Sequence, residues 1–397
     1  MRLSAITGTI SYAFFGFMVI WLMMSPAQAR VTVYLEDDIK VTFASGSFDS
    51  RNFNGEMQDV AIFMDEHRLL TADEVVVETS GESGTADHVI ELLQMKNVFF
   101  DDVPLSIKTI LIQDMASDFF AEFSERSAQM NAITDTSHFA MTGAAYSANG
   151  VSMTIDRIAS LPFTFGSLTN GDPFLTKLGI QVENVILTPL QNKSAFAHFL
   201  SATGESNLTL NMTQFQENEI KNGTVSSDMF LKTTMKGIGD LDAQIGLQMP
   251  LDSYYKLFMS HAYDDDLDDI EDVALDDMSI IFDDYGAVNA ALQMSAIEQN
   301  VDVQMARDMT IMAMKAALGS FLPNSSKDLF PPLDKFVREG GQLRLSMTPR
   351  TPFPLTNAAQ YIFAPDAAIK ALNVKLMQTP HGQDGNANTL QKTKMLN

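Results

Sequence analysis

The sequence predicts an α+β fold, mainly an antiparallel β-sheet laid out as a curved meander, with a helical segment near the C-terminus packed on that sheet. Three observations carry this. Short runs alternate apolar and polar residues at the strand period of two, as in Ile39, Val41 and Phe43 against Lys40 and Thr42. Turn-forming clusters such as Ser80-Gly-Glu-Ser-Gly84 separate these runs at regular intervals. One long methionine-rich helical pattern lies between the strand candidates Met278–Phe282 and Leu343–Met347, so it is expected to pack across the sheet.

In chain order, the first segment reads as an export signal. Arg2 supplies a minimal positive region, Ala13 to Met24 is apolar, and Ala27-Gln28-Ala29 has the small-x-small form of a cleavage site. The apolar run is shorter than the roughly 20 residues a membrane-spanning helix needs. Cleavage after Ala29 and a periplasmic location are therefore expected, leaving a β-rich part at 30–245, an α+β part at 246–377 and a disordered tail at 378–397.

Composition agrees with that compartment. The chain has 397 residues, 26 basic against 50 acidic side chains and a net charge of −24, so its surface repels nucleic acid and favours cations or basic partners. With Cys 0, it holds no disulfide framework and must rely on a large apolar core.

Strand patterns continue at Val75–Val77, Val89–Met95 and Leu105–Ile112, one face apolar and one polar. Phe119 to Met130 then mixes apolar and charged residues at helical spacing after the capping candidates Ser117 and Asp118, which predicts a helix closing one end of the sheet. Alternation resumes at Val151–Asp156, Ile180–Leu187 and Leu208–Thr213. These runs share a rhythm of strand and turn without residue-level identity, so no internal duplication is read from them. Lys236-Gly-Ile-Gly239 and Pro250 mark a change of character.

A short helix is expected at Leu251–Ala262, and an acidic run follows it. Asp264, Asp266, Asp268, Asp269, Glu271 and Asp272 supply the hard oxygen ligands that Ca²⁺ requires, which makes them the metal candidates. Their spacing is not that of an EF-hand loop, and the same run reads as a solvated acidic linker. No other cofactor is expected.

Beyond Gly286, Val288, Leu292 and Ile297 fit one helix ending at Asn300, and Asp302 can cap a second. In the second, Met305, Met309 and Met312 recur at spacings of four and three, and Ile311, Met314 and Leu318 widen the apolar face. Methionine adapts to irregular apolar partners, including a lipid chain, which makes these three the ligand-binding candidates; a stripe of this kind is more often core. Pro323 ends that helix, Pro331-Pro332 begins another at Leu333–Arg338, and a last helix (Asp366–Leu372) and strand (Asn373–Met377) follow.

The motif search excludes several enzyme classes. The histidines His67, His88, His138, His198, His261 and His381 are scattered without paired metal-ligand spacing, and no nucleophile elbow or phosphate-cradling loop occurs. The stretch Leu275-Asp-Asp-Met-Ser-Ile-Ile-Phe-Asp-Asp-Tyr-Gly286, the helical pair and Gly341-Gln-Leu-Arg-Leu-Ser-Met-Thr-Pro349 resemble uncharacterised exported proteins of alphaproteobacteria. The strand-rich chain as a whole is similar to AsmA-type envelope proteins, and that resemblance implies a curved sheet offering an apolar groove to lipids. It carries no functional residue with it. The sequence thus predicts a non-enzymatic periplasmic protein that binds a lipid or other apolar ligand, with peripheral membrane contact and other envelope proteins as further partners. Its alternative is a structural or interaction protein whose acidic run binds Ca²⁺ or a basic partner.

Overall fold

A computed structural model describes residues 31–36, 39–49, 54–64, 67–81, 89–116, 133–168, 173–192, 194–254, 272–361 and 364–380. The export signal, the helix expected at Phe119–Met130, most of the candidate at Leu251–Ala262, the acidic positions up to Glu271 and the tail from 381 onward lie outside these residues. The fold is α+β and mainly antiparallel sheet, with helices concentrated toward the C-terminus.

The described residues form two compact units. One holds those up to Leu190 with Thr213–Glu219 and Tyr254; the other holds Gln191–Met212, Ile220–Ser253 and everything from 272 on.

The first unit is a strand meander. Its strands are β1 (Val31–Glu36), β2 (Ile39–Phe43), β3 (Ser45–Asp49), β4 (Asn54–Met64), β5 (His67–Ser80), β6 (Val89–Phe100), β7 (Leu105–Ala116), β8 (Ile133–Ala148), β9 (Val151–Ser160), β10 (Thr164–Ser167) and β11 (Pro173–Pro189). β12 (Leu208–Lys221) contributes its middle here and its ends to the second unit. β4 to β9 pair antiparallel in succession, β11 follows β9, and β2 and β3 both pair with β4. Asn149 and Gly150, both at positive φ (53° and 79°), join β8 to β9 in the two-residue turn that matches strand twist. One apolar cluster, running from Val41 and Phe43 to Met141 and Ala144, forms the core.

The long strands do not keep a single alternation. In β4 the buried residues are Met57, then Val60 and Ile62; in β5 they are Leu70 and Ala72, then Val75, Val77 and Thr79; in β6 Ile90, then Leu93 and Met95, then Val98; in β7 Ile107, then Ile110 and Ile112, then Met115. Each strand changes phase on one row shared across the sheet, and β6 and β7 change phase a second time, between Ile90 and Leu93 and between Ile112 and Met115. The registers on either side bring Asp59 opposite Asp73, Asp73 opposite Asn97, Asn97 opposite Lys108, Lys108 opposite Gly143, Gly143 opposite Asp156, and Asp156 opposite Asn184. Every second member of the row is left-handed: Asp59 (φ 53°), Asn97 (φ 51°), Gly143 (φ 61°) and Asn184 (φ 50°). Asn, Asp and Gly are the residues that tolerate this conformation, which costs other residues about 1–2 kcal/mol. Side chains seal the row: Asn97 Nδ2 donates to Asp73 Oδ2 at 2.8 Å and Asn184 Nδ2 to Asp156 Oδ2 at 2.6 Å. Because neighbouring strands switch together, apolar residues stay inward on both sides of the row.

A buried polar knot completes this unit. Gln216 Nε2 donates to Asn218 Oδ1 (2.9 Å), and Asn218 Nδ2 donates to the Tyr254 hydroxyl (2.9 Å) and to the Leu175 carbonyl (3.0 Å). The Tyr254 ring lies 5.4 Å from that of Phe174. The amides are bonded, so the knot tightens the fold instead of offering a site.

The second unit opens with a helix the sequence reading did not anticipate, α1 (Ala195–Thr203), bounded by Ser194, whose hydroxyl accepts from the Ala197 N–H, and by left-handed Gly204. A short α2 (Leu251–Tyr254) begins where the longer helix was expected. The sheet comprises β13 (Thr224–Met235), β14 (Gly239–Pro250), β15 (Ala274–Asp284), β16 (Gly341–Met347), β17 (Phe353–Pro354) and β18 (Lys375–Thr379). Pairing runs β13–β14–β15–β16–β18, with β17 on the start of β15. Lys236–Ile238 forms the β13–β14 turn, with Gly237 at φ 70°.

Between β15 and β16 stand α3 (Ala287–Gln299), α4 (Val303–Phe321) and α5 (Ser326–Glu339). Buried Asp284 starts α3 by accepting from the N–H groups of Gly286 and Val288 at 3.2 and 3.1 Å. Left-handed Asn300 ends it, and Asp302 caps α4 through the Met305 N–H at 2.8 Å, both as the sequence predicts. The Phe336 ring of α5 meets Phe282 of β15 edge-on at 6.2 Å, which seats the helices on one sheet face.

Two boundaries differ from expectation. α5 begins at Ser326, so Pro331 and Pro332 lie inside it instead of at its start. Its entry is held by Asp366, whose carboxylate accepts from the Asn324 N–H (3.1 Å), the Asn324 side-chain amide (3.0 Å) and the Ser325 N–H (2.9 Å). The last strand starts at Lys375 because left-handed Asn373 (φ 48°) closes α6 (Pro365–Ala371).

Candidate binding surface

Helix α4 presents the sequence candidates to solvent. Its buried contacts are Ala306 and Ile311, whereas Met305, Met309 and Met312 are 52%, 39% and 63% exposed. Positions 305, 309, 312 and 316 are spaced four, three and four apart, so these methionines and exposed Ala316 form one stripe. Ile297 at the end of α3 and Phe321 at the end of α4 are 72% and 71% exposed. Of the large apolar side chains open to solvent among the described residues, most belong to the stretch from Tyr285 to Phe321.

Charges flank the stripe without entering it. Arg338 of α5 donates to Asp308 of α4 at 3.2 Å and to Asp334 at 3.0 Å, and the Lys315 ammonium lies 5.8 Å from the centre of the Phe330 ring. These contacts hold the charged side of α4 toward α5. They leave the methionine side uncharged in a chain of net charge −24.

Of the metal candidates, Asp272 is exposed in the turn before β15, and Asp264, Asp266, Asp268, Asp269 and Glu271 lie outside the described residues. Two aspartates at the end of β15 have structural tasks: Asp284 caps α3, and Asp283 accepts from Gln342 Nε2 at 3.0 Å. Among the described residues, no three or more His, Asp or Glu side chains gather in a way that could hold a metal ion.

A polar face of β14 and β15 carries Asp240, Asp242 and Asp283. Burial pushes the Asp242 carboxyl above its ordinary range; Lys232 opposes this, while the charges of Asp240 and Asp283 add to it. The Tyr285 hydroxyl donates to Asp240 at 3.0 Å, and burial with that hydrogen bond raises its pKa. In the first unit, Ser160 Oγ lies 3.2 Å from His138 Nδ1, but it also accepts from the Phe139 N–H at 2.9 Å, so it serves the β8–β9 pairing.

The comparisons with known proteins fall on the unit that carries the stripe. A protein-family model described only as an uncharacterized protein matches residues 232–379. The match runs from β13 to the end of β18 and includes the three helices between β15 and β16. No curated protein matches the chain.

Proposed function

We propose that the protein is an exported, non-enzymatic binding protein of the envelope that takes a lipid chain or another apolar ligand on the methionine stripe of α4. The observation that supports this reading most directly is the exposure of Met305, Met309 and Met312 as one uncharged strip on α4. Contiguous exposed apolar surface marks interaction sites in proteins that are otherwise polar outside. Each half-exposed methionine that leaves water contributes roughly 1 kcal/mol, and its flexible thioether adapts to an irregular aliphatic partner. The signal-like N-terminal sequence supports an exported location for this surface.

The test is a titration of delipidated protein with a fluorescent fatty acid and with phosphatidylcholine vesicles. Saturable uptake is expected for the wild type, and the Met305→Ser/Met309→Ser/Met312→Ser variant should bind at least about tenfold more weakly, in line with the loss of some 1.4 kcal/mol or more. Equal binding by the two proteins, or none by the wild type, would refute the assignment.

A further inference from the structure

The second unit contains an open cleft of about 750 Å³ apart from the methionine stripe, formed by the start of α5, the segment after β16, and α6. Its lining includes two cations, Arg350 and Lys370, one carboxylate, Asp328, and the apolar side chains Leu329, Ile369 and Val374. A volume of this size suits a small ligand.

The charges of the lining set the ligand class. Among the described residues, the Arg350 guanidinium and the Lys370 ammonium make no ion pair or side-chain hydrogen bond, although the chain carries 50 acidic side chains against 26 basic. The backbone N–H groups of Asn324 and Ser325, which lead into α5, are already taken by the Asp366 carboxylate. Two cations against Asp328 leave the lining one positive charge in excess. That balance fits a single negative charge better than a multiply charged phosphate, and Leu329, Ile369 and Val374 provide a wall for an attached aliphatic part.

We propose that the cleft lined by Arg350 and Lys370 binds a monoanionic oxyacid group, a carboxylate or a phosphodiester, with its aliphatic part against Leu329, Ile369 and Val374. The carboxylate or phosphodiester oxygens accept from the guanidinium and the ammonium. Asp328 disfavours a second negative charge. This site is independent of the methionine stripe.

Calorimetry on the mature full chain tests it with three probes: sodium decanoate, dimethyl phosphate, and vesicles containing phosphatidylglycerol in phosphatidylcholine. Decanoate is expected to bind saturably, about tenfold more weakly to Arg350→Ala/Lys370→Ala and about twofold more tightly to Asp328→Asn. Dimethyl phosphate binding with the same dependence assigns the site to a free anion, and vesicle binding lost in the double variant assigns it to a lipid headgroup; both support the proposal. Circular dichroism of each variant checks that the fold persists, which is expected because Arg350, Lys370 and Asp328 are exposed. Decanoate binding that is unchanged in the double variant, that depends instead on Met305, Met309 and Met312, or that is absent would overturn it.

Discussion

At the scale of single residues, the phase row of the first unit shows how much one backbone conformation decides. Asn97 is left-handed and bonded to Asp73, and it allows Leu93 and Met95 on one side and Val98 on the other all to face inward. Asn97→Ala should destabilise the protein by about 1–2 kcal/mol, while Asn97→Gly, free of the left-handed penalty, should cost less than about 1 kcal/mol. Urea denaturation of both variants checks the order. Asp242 acts in the opposite sense: with a folded-state pKa above the ordinary value, its ionised form is a burden at neutral pH. Asp242→Asn should therefore raise Tm at pH 7, and the gain should fade as pH falls through the folded pKa toward the ordinary carboxylate value near ~4. Thermal melts of both proteins across that range measure it.

At the scale of elements, the sequence was informative wherever a signal lay inside the element. Asn300 and Asp302 mark the α3–α4 junction, and both act as their residue types predict. The start of α5 was not legible, because the group that satisfies it, Asp366, arrives about 40 residues later in the chain. Pro331-Pro332 offered a strong but misleading local start. Strand lengths were underestimated for a related reason: a reader following period two starts at Val75, just after β5 changes phase, and stops at Met95, just before the left-handed Asn97 of β6. The fragments Met57-Gln-Asp-Val60 and Met95-Lys-Asn-Val98 carry the signal that could have revealed it, an Asn or Asp next to a buried apolar residue at an interval of three. α1 was missed although Ser194 and Gly204 bracket it. Asp366→Ala should lower Tm, since its carboxyl is held below the ordinary range chiefly by hydrogen bonds from Ser325 and Asn324. Its contribution is present above the ordinary carboxylate pKa and lost as pH falls through the depressed folded value, so wild type and variant should converge in acid. Hydrogen exchange at the first turn of α5 would show whether the loss is local.

At the scale of the whole molecule, the β-rich α+β class followed from alternation and turn spacing, which survive any arrangement of strands. The location of the candidate surface did not follow. Helical spacing shows that Met305, Met309 and Met312 share a face, yet the same spacing serves core and surface alike. Only packing decides, and it buries Ala306 and Ile311 while leaving the methionines open. The cleft was equally hidden, because Arg350, Lys370 and Asp328 come from three separated segments. What emerges is a second unit, matched over residues 232–379 by the family model, that presents an uncharged methionine strip and a cationic cleft in a strongly acidic protein.

The central claim, that the methionine strip holds an apolar ligand, is met most directly by native mass spectrometry of protein purified without delipidation from the cells that make it, wild type beside Met305→Ser/Met309→Ser/Met312→Ser. The account predicts a stoichiometric lipid-sized adduct on the wild type and its loss from the variant, both at the mass of a chain cleaved after Ala29. An adduct-free wild type, or an adduct that persists in the variant, would contradict it.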